Sequence, residues 1–253
     1  MQNILVPIGS TESAKNTLQY AIDFASEINA KIFVLRAYSA PAKAGRMINV
    51  DNIIERETNL YLRTMVNAVD KKNVDIKLIS AKGSLIDSVE AIDDELGIDL
   101  IIVGAKSNSI KEEVFLGRTA GSLVKQIELP LLTVPDGYKF SAFKNVLMAF
   151  KSGIVKSKTA LLPLKHVVQK FNPQVNLLLV KTPHHKEDDF NVNDELQALI
   201  SNTIQTENAT TYQGVLEHYQ TAKPDMLCVV RRKRGFFTKK WEKNVILKKD
   251  FSI

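Results

Sequence analysis

The chain holds one cysteine, Cys228, in 253 residues, so no internal disulfide can form. Cys228 stands in the apolar run MLCVV and reads as a small buried hydrophobe, which fits a reducing compartment. Long apolar runs are missing as well: no stretch reaches the ~20 residues that a membrane-spanning helix needs. The opening MQNILVPIGS lacks the charged and apolar regions of a secretory signal, so the expected location is the cytoplasm. Signatures of catalysis are also absent. There is no GxxxxGK[ST], no GxGxxG after a strand, no GxSxG and no HExxH. Carboxylates such as Asp93–Asp94 and Glu112–Glu113 are sequence neighbours. On a helix, neighbours point about 100° apart and make poor acid–base pairs. The expectation is a protein that is not an enzyme.

What is present is an ordinary globular composition. Hydrophobic residues make up 45% and charged residues 25%, which argues against gross disorder, and the length suits one large domain or two of usual size. The net charge of +6 is uneven, because residues 223–249 carry ten Lys/Arg against two Asp/Glu. The rest of the chain is therefore slightly acidic. We read the basic stretch as a solvated helix and loop face. Its aromatic residues Phe236, Phe237 and Trp241 suit a core as well as they suit bases, so nucleic acid is not the expected partner. The run TPHHKEDDF gathers His184, His185, Glu187, Asp188 and Asp189. Adjacent histidines on a loop seldom converge on one ion, so the run is read as a polar connection and no metal is expected. His166 and His218 fall on expected helices without a recognisable partner.

Hydrophobic periodicity then sets the order of elements. QNILVP reads as a short buried strand. Ala14, Leu18, Ala21, Ile22, Ala25 and Ile28 form one face of a helix that opens at Ser10 or Thr11. AKIFVLRAY is a second strand, and a helix over Ile53 to Val69 follows a loop containing Pro41 and Gly45. VDIKLISAKG is a third strand. The helix after it turns Leu85, Val89, Ile92 and Leu96 inward and stops at Gly97. IDLIIVG is a fourth strand. A loop from Gly104, a helix around Thr119–Gln126 and the strand PLLTVP complete the series. Strands that alternate with helices and are apolar on both faces predict a parallel sheet covered by helices. In such sheets, ligands bind beyond the carboxyl ends of the strands where the strand order reverses.

The pattern then repeats. KNVLMAF parallels QNILVPI, VNLLLVKT parallels KIFVLRAY, and KPDMLCVVRR parallels GIDLIIVGAK with Asp225 at the place of Asp99. Three matched strands in one order predict a duplicated α/β unit, divided into residues 1–138 and 139–253 with DGYKFSAF as the connection. The end of the second copy, KKDFSI, aligns with KQIEL just before PLLTV, so the last strand of that copy is not expected here.

NILVPIGSTESAKNTLQYAIDFASEINAKIFVLRAY resembles the opening of a universal stress protein. The fourth strand, the long loop and ELPLLTVP are similar to that family's nucleotide-loop region. The resemblance implies, in each unit, an open parallel five-stranded sheet in the order 3-2-1-4-5 flanked by helices, the second unit lacking its last strand. It also implies an adenine-nucleotide site, for ATP or AMP, built from Pro7, Ile8, Gly9, Ala37, Val103, Gly104, Lys106, Ser107, Gly117, Arg118 and Thr119. Nucleotide-binding members carry Gly-x2-Gly-x9-Gly-Ser/Thr, which lets backbone N–H groups approach phosphate oxygens. Here Ser107 stands in place of the second glycine and Arg118 in place of Ser/Thr. The family commonly reads Val-Pro-x-Asp after the first strand, where this chain reads Val6-Pro7-Ile8-Gly9. Ala37 stands where a branched apolar residue near the adenine is usual. In the second copy, Val230 and Arg231 to Arg234 replace the glycine turn. The resemblance implies a stress-response or signalling module whose first domain binds nucleotide weakly. The alternative is a nucleotide-free interaction scaffold of the same fold. Self-association through the last strand of the first domain is expected.

Overall fold

The apolar run after Asn3 becomes the middle strand of a parallel sheet, since Ile4, Leu5 and Val6 are all fully buried and both faces must be covered. The structure is a computed structural model and describes residues 1–10, 13–39, 50–105, 114–150, 155, 158–230 and 246–247. The first unit contains β1 (Asn3–Pro7), α1 (Ala14–Ile28), β2 (Lys31–Tyr38), α2 (Val50–Asn67), β3 (Ile76–Lys82), α3 (Leu85–Leu96) and β4 (Leu100–Gly104). A short β5 (Val114–Leu116), α4 (Arg118–Gln126) and β6 (Leu131–Val134) follow. Its sheet runs β3-β2-β1-β4-β6 with every pairing parallel, the expected 3-2-1-4-5 order. On one face Leu5, Leu35, Ile101 and Val103 pack against Val89 and Ile92 of α3 and Ala120 and Leu123 of α4. α1 buries Leu18, Ala21, Ile22 and Ala25. Each large apolar side chain contributes about 1.5–3 kcal/mol when fully buried.

α1 starts later than the periodicity suggested. Ser13 holds the cap position, and its carbonyl accepts from the Thr17 amide at 3.0 Å and the Thr17 hydroxyl at 3.2 Å. Thr11 lies outside the described residues. α3 matches its expected signals: the Ser84 side chain accepts from the Asp87 amide at 3.2 Å, and Gly97 closes the helix at φ 63°, a conformation glycine adopts without strain.

The second unit contains β7 (Asn145–Phe150), α5 (Leu162–Phe171), β8 (Gln174–Lys181), α6 (Asp194–Gln197), β9 (Asn202–Glu207), α7 (Thr211–Ala222) and β10 (Met226–Cys228). Its sheet runs β10-β7-β8-β9, again all parallel. This is the first unit's order without its fifth strand among the described residues. β9 was not anticipated from the sequence. The long α2 has a four-residue counterpart, α6.

One polar device recurs in both units. The carboxylate of Asp99, just before β4, accepts from the amides of Gln2 and Asn3 at 2.6 and 3.0 Å, while the Asp99 amide donates to the Asn3 carbonyl at 3.0 Å. The Asn3 side chain donates to the Leu96 carbonyl at the end of α3, at 2.8 Å. In the second unit Asp225 accepts from the Lys144 and Asn145 amides at 2.7 and 2.8 Å, its own amide donates to Asn145, and the Asn145 side chain donates to the Ala222 carbonyl. The helix ends agree too: Asn29 and Asn172 close α1 and α5 in the left-handed region, and Ser84 and Thr210 cap α3 and α7.

By contacts the described residues divide into Met1–Phe140 and a group that begins at Ser141. The expected connection is ordered within each group. Phe140 packs edge-on against Tyr20 and Phe24 of α1, and Phe143 packs edge-on against Phe171. Burial, with Tyr138 beside it, pushes the Tyr20 phenol well above its ordinary range. β11 (Ile246–Leu247) pairs antiparallel with β5 and groups with the first unit. The two sheets differ in cover. Ile101 and Val103 of β4 are 0% and 2% exposed beneath α4, whereas their counterparts Leu227 and Val229 are 42% and 64% exposed.

Asp99→Ala and Asp225→Ala should each destabilise the chain by about 1.5–3 kcal/mol, because each removes a charged acceptor from two strand-opening amides. Urea denaturation of the two variants checks this. Stabilities equal to that of the parent chain would show that the paired latch contributes nothing.

Candidate functional site

The strand order reverses between β1 and β4, because the chain moves outward from β1 through β2 to β3 and then crosses back to β4. In sheets of this kind the crossovers on either side of such a point diverge, and a crevice forms at the carboxyl ends of the two strands. From β1 the crevice receives Pro7, the buried Ile8 and Gly9. The Ile8 amide continues the β2 ladder by donating to the Leu35 carbonyl at 2.9 Å. From β4 come the buried Val103 and then Gly104, which aligns with Val134 of β6. The loop that leaves β4 returns to the same place, because the Gly117 amide donates to the Ala105 carbonyl at 2.9 Å, while the Ala105 amide donates to Val134.

Gly117 is the cap of α4, extended at φ −64° and ψ 171° and without a side chain to satisfy the helix start. The first-turn N–H groups of α4 have no intrahelical acceptor, and the helix dipole adds partial positive charge there. That arrangement suits a phosphate or another anion. Thr119 is half-buried in this first turn and its carbonyl accepts from the Ser122 hydroxyl at 3.0 Å. Arg118 opens α4, but its side chain lies outside the described residues, as do Lys106 and Ser107. Ala37 lies one strand over, on β2, aligned with Ala81 of β3. Pro7, Ile8, Gly9, Val103, Gly104, Gly117 and Thr119 thus come from the two strands of the reversal and the helix beyond them. The second-copy run from Arg231 to Arg234, with Phe236, Phe237 and Trp241, also lies outside the described residues.

Three contacts at the crevice were not read from the sequence. A Cβ built on Gly104 would stand 2.7 Å from the Thr17 hydroxyl oxygen of α1, so close helix–strand packing requires glycine there. The Tyr61 hydroxyl of α2 donates to the Gly9 carbonyl at 2.7 Å. The Arg36 guanidinium lies over the Tyr61 ring, 3.8 Å from its centroid. Only the apolar spacing of α1 and α2 hinted at these contacts, since each depends on how a helix seats on the sheet.

Elsewhere the chemistry is sparse. Among the described residues no group of three His, Cys, Asp or Glu side chains could hold a metal. His185 stacks on Phe190 at 4.2 Å, with its Nδ1 3.9 Å from Asp189. Cys228 is half-buried, and burial pushes its thiol up to about 11, which keeps it protonated at neutral pH. No helix among the described residues is long and apolar enough to cross a membrane.

Comparison with known proteins matches residues 1–135 to the Universal stress protein family. Universal stress protein G of Shigella flexneri and that of Escherichia coli O157:H7 are each 32% identical over 81 residues, 32% of this chain and 56% of theirs. The chain therefore spans little more than half the length of these curated relatives. A crystal structure of a universal stress protein from Archaeoglobus fulgidus DSM 4304 superposes with a TM-score of 0.67 at 19% identity, covering 90% of this chain and 86% of that one. That likeness extends the fold across both units.

Gly104→Ala should destabilise the chain by about 1–3 kcal/mol through overpacking against α1. Thr17→Ala in the same chain should return much of that loss by removing the oxygen the new methyl meets. Thermal melts of the single and double variants test the point, and a double variant no better than Gly104→Ala would show that Thr17 is not the obstacle. For Cys228, a two-unit rise over an ordinary thiol lowers the thiolate fraction, and hence alkylation by iodoacetamide at pH 8, about 100-fold. A rate equal to that of free cysteine would contradict the enclosure.

Proposed function

Because the chain belongs to the universal stress protein family, we propose that its first unit holds an adenine nucleotide, ATP or AMP, in the crevice between β1 and β4. The protein would act in the cytoplasm as a stress-response or signalling module and is assigned no catalytic step. The observation that carries this reading is the start of α4 at the strand reversal, which no side chain among the described residues caps and which the Gly117–Ala105 bond fixes there. The phosphates would meet the first-turn amides and the Thr119 hydroxyl. The adenosine part would lie toward Pro7, Ile8, Gly9 and Ala37, with Val103 and Gly104 beneath. Lys106, Ser107 and Arg118 would complete the loop.

Affinity should be weak, since the family's carboxylate is replaced by Gly9 and two loop positions by Ser107 and Arg118. Each lost or strained bond to a charged ligand weakens binding by roughly 1.5–3 kcal/mol, or about one to two decades. A second reading, a nucleotide-free scaffold, is favoured by Gly104, whose glycine is already required by Thr17. In either case β6 ends the first sheet and offers an edge for pairing with a second copy.

Calorimetric titration with ATP should give one weak site, toward the millimolar range, in the first unit. Gly9→Asp has room, because a Cβ there meets nothing within 4 Å. Combined with Ser107→Gly and Arg118→Ser, it should tighten ATP by about tenfold or more. Two equivalent sites, low-micromolar affinity in the parent chain, or a triple variant that changes nothing would each overturn this account. No heat from either protein would leave the scaffold reading.

A further inference from the structure

We propose that the crevice prefers an adenine nucleotide that carries a second phosphate, on the 2′ or 3′ oxygen of its ribose, and that Arg36 is the residue that reads this phosphate. The inference rests on the nucleotide-binding reading above and goes beyond it by naming the ligand class.

Arg36 lies near the carboxyl end of β2, the strand that pairs with β1 on the side away from the reversal. Its guanidinium is stacked on Tyr61, and the hydroxyl of the same ring is fixed to the Gly9 carbonyl, so Arg36, Tyr61 and Gly9 form one connected group at the rim of β1. Stacking holds the planar guanidinium in a set orientation and reduces the entropy lost when it binds. Its Nη1 is buried and has no hydrogen-bond partner among the described residues. A purely structural arginine normally has its N–H groups satisfied by a carboxylate or a carbonyl. This one is held by its π-face while an N–H goes unmet. A phosphate supplies the missing acceptors in bidentate form.

Doubly wound sheets that bind dinucleotides show what such a residue does. A carboxylate about 20 residues beyond the glycine turn accepts from the ribose hydroxyl, and an arginine nearby accommodates a ribose phosphate instead. In this chain the carboxylate of the Val-Pro-x-Asp pattern is missing at Gly9 and an arginine stands on the neighbouring strand. A negative charge is thus absent at Gly9 and a positive one stands on the adjacent strand, so a phosphate at this end of the sheet gains a donor.

The test is calorimetric titration of the full chain with AMP, adenosine 2′,5′-bisphosphate and adenosine 3′,5′-bisphosphate. At least one bisphosphate should bind about tenfold or more tightly than AMP, the size expected of one charge-assisted contact. Arg36→Gln should abolish that difference while leaving AMP affinity within about twofold, and Arg36→Lys should keep only part of it because lysine cannot form the fork. Gly9→Asp should lower bisphosphate affinity relative to AMP by like-charge repulsion. Equal binding of AMP and both bisphosphates by the parent chain would overturn the proposal and leave the nucleotide reading standing, whatever the fate of the variants. A preference that survives Arg36→Gln would overturn it equally. Failure of all three ligands to bind would overturn this inference, and failure of ATP as well would remove the nucleotide reading with it.

Discussion

The register between β1 and β4 is the constraint on which the rest of the first unit depends. These two strands neighbour each other although α1, β2, α2, β3 and α3 lie between them in the chain. No short turn can hold such a pairing, so a local device must. Asp99 supplies it by accepting from the two amides that open β1 while its own amide donates to Asn3. Asn3 then ties the same point to the end of α3. A shift of one residue would turn Leu5 and Ile101 away from α3 and α4, and the packing of both faces would be lost. The crevice exists because this pairing is where the connections part. The same four groups recur as Asn145, Asp225, Lys144 and Ala222, so the second unit is built on the same constraint.

Much of this was legible in the sequence, and the reasons are physical. β1, β4, β7 and β8 are nearly continuous apolar runs because both of their faces are covered, and such runs stand out. The recurrence of Asn and Asp at matched places marked the duplication, and Ser84 and Gly97 marked the ends of α3 because capping chemistry is local. β9 was missed because NTIQTE lies at a sheet edge and is largely polar and exposed, so its pairing to β8 comes from backbone bonds that leave no apolar signature. β5 and β11 are short, and their pairing joins residues far apart in the chain.

The site was legible in its position but not in its contacts. Gly104 looked like one element of a phosphate motif, yet its glycine is enforced by Thr17 from the helix after β1. A packing requirement and a ligand requirement thus select the same residue, and spacing cannot separate them. Gly9 presents the opposite case. Nothing crowds a Cβ there and its backbone is not left-handed, so neither packing nor conformation demands glycine. Its hydrogen in place of a carboxylate is a change in chemistry alone.

These two glycines divide the crevice into a part set by the fold and a part free to change. At the β4 and α4 side, the donors are backbone N–H groups that exist wherever the helix starts at Gly117, so the capacity for an anion persists through substitution of neighbouring side chains. At the β1 and β2 side the groups present are side chains: Gly9 offers none, and on the next strand Arg36 is stacked on Tyr61. In the second unit the fold-set part has changed as well. Val230 stands at the place of Gly104, and Leu227 and Val229 are exposed where Ile101 and Val103 are buried beneath α4. The duplicated latch preserves the sheet there. Among the described residues, however, that sheet lacks the covered reversal on which a crevice of this kind depends.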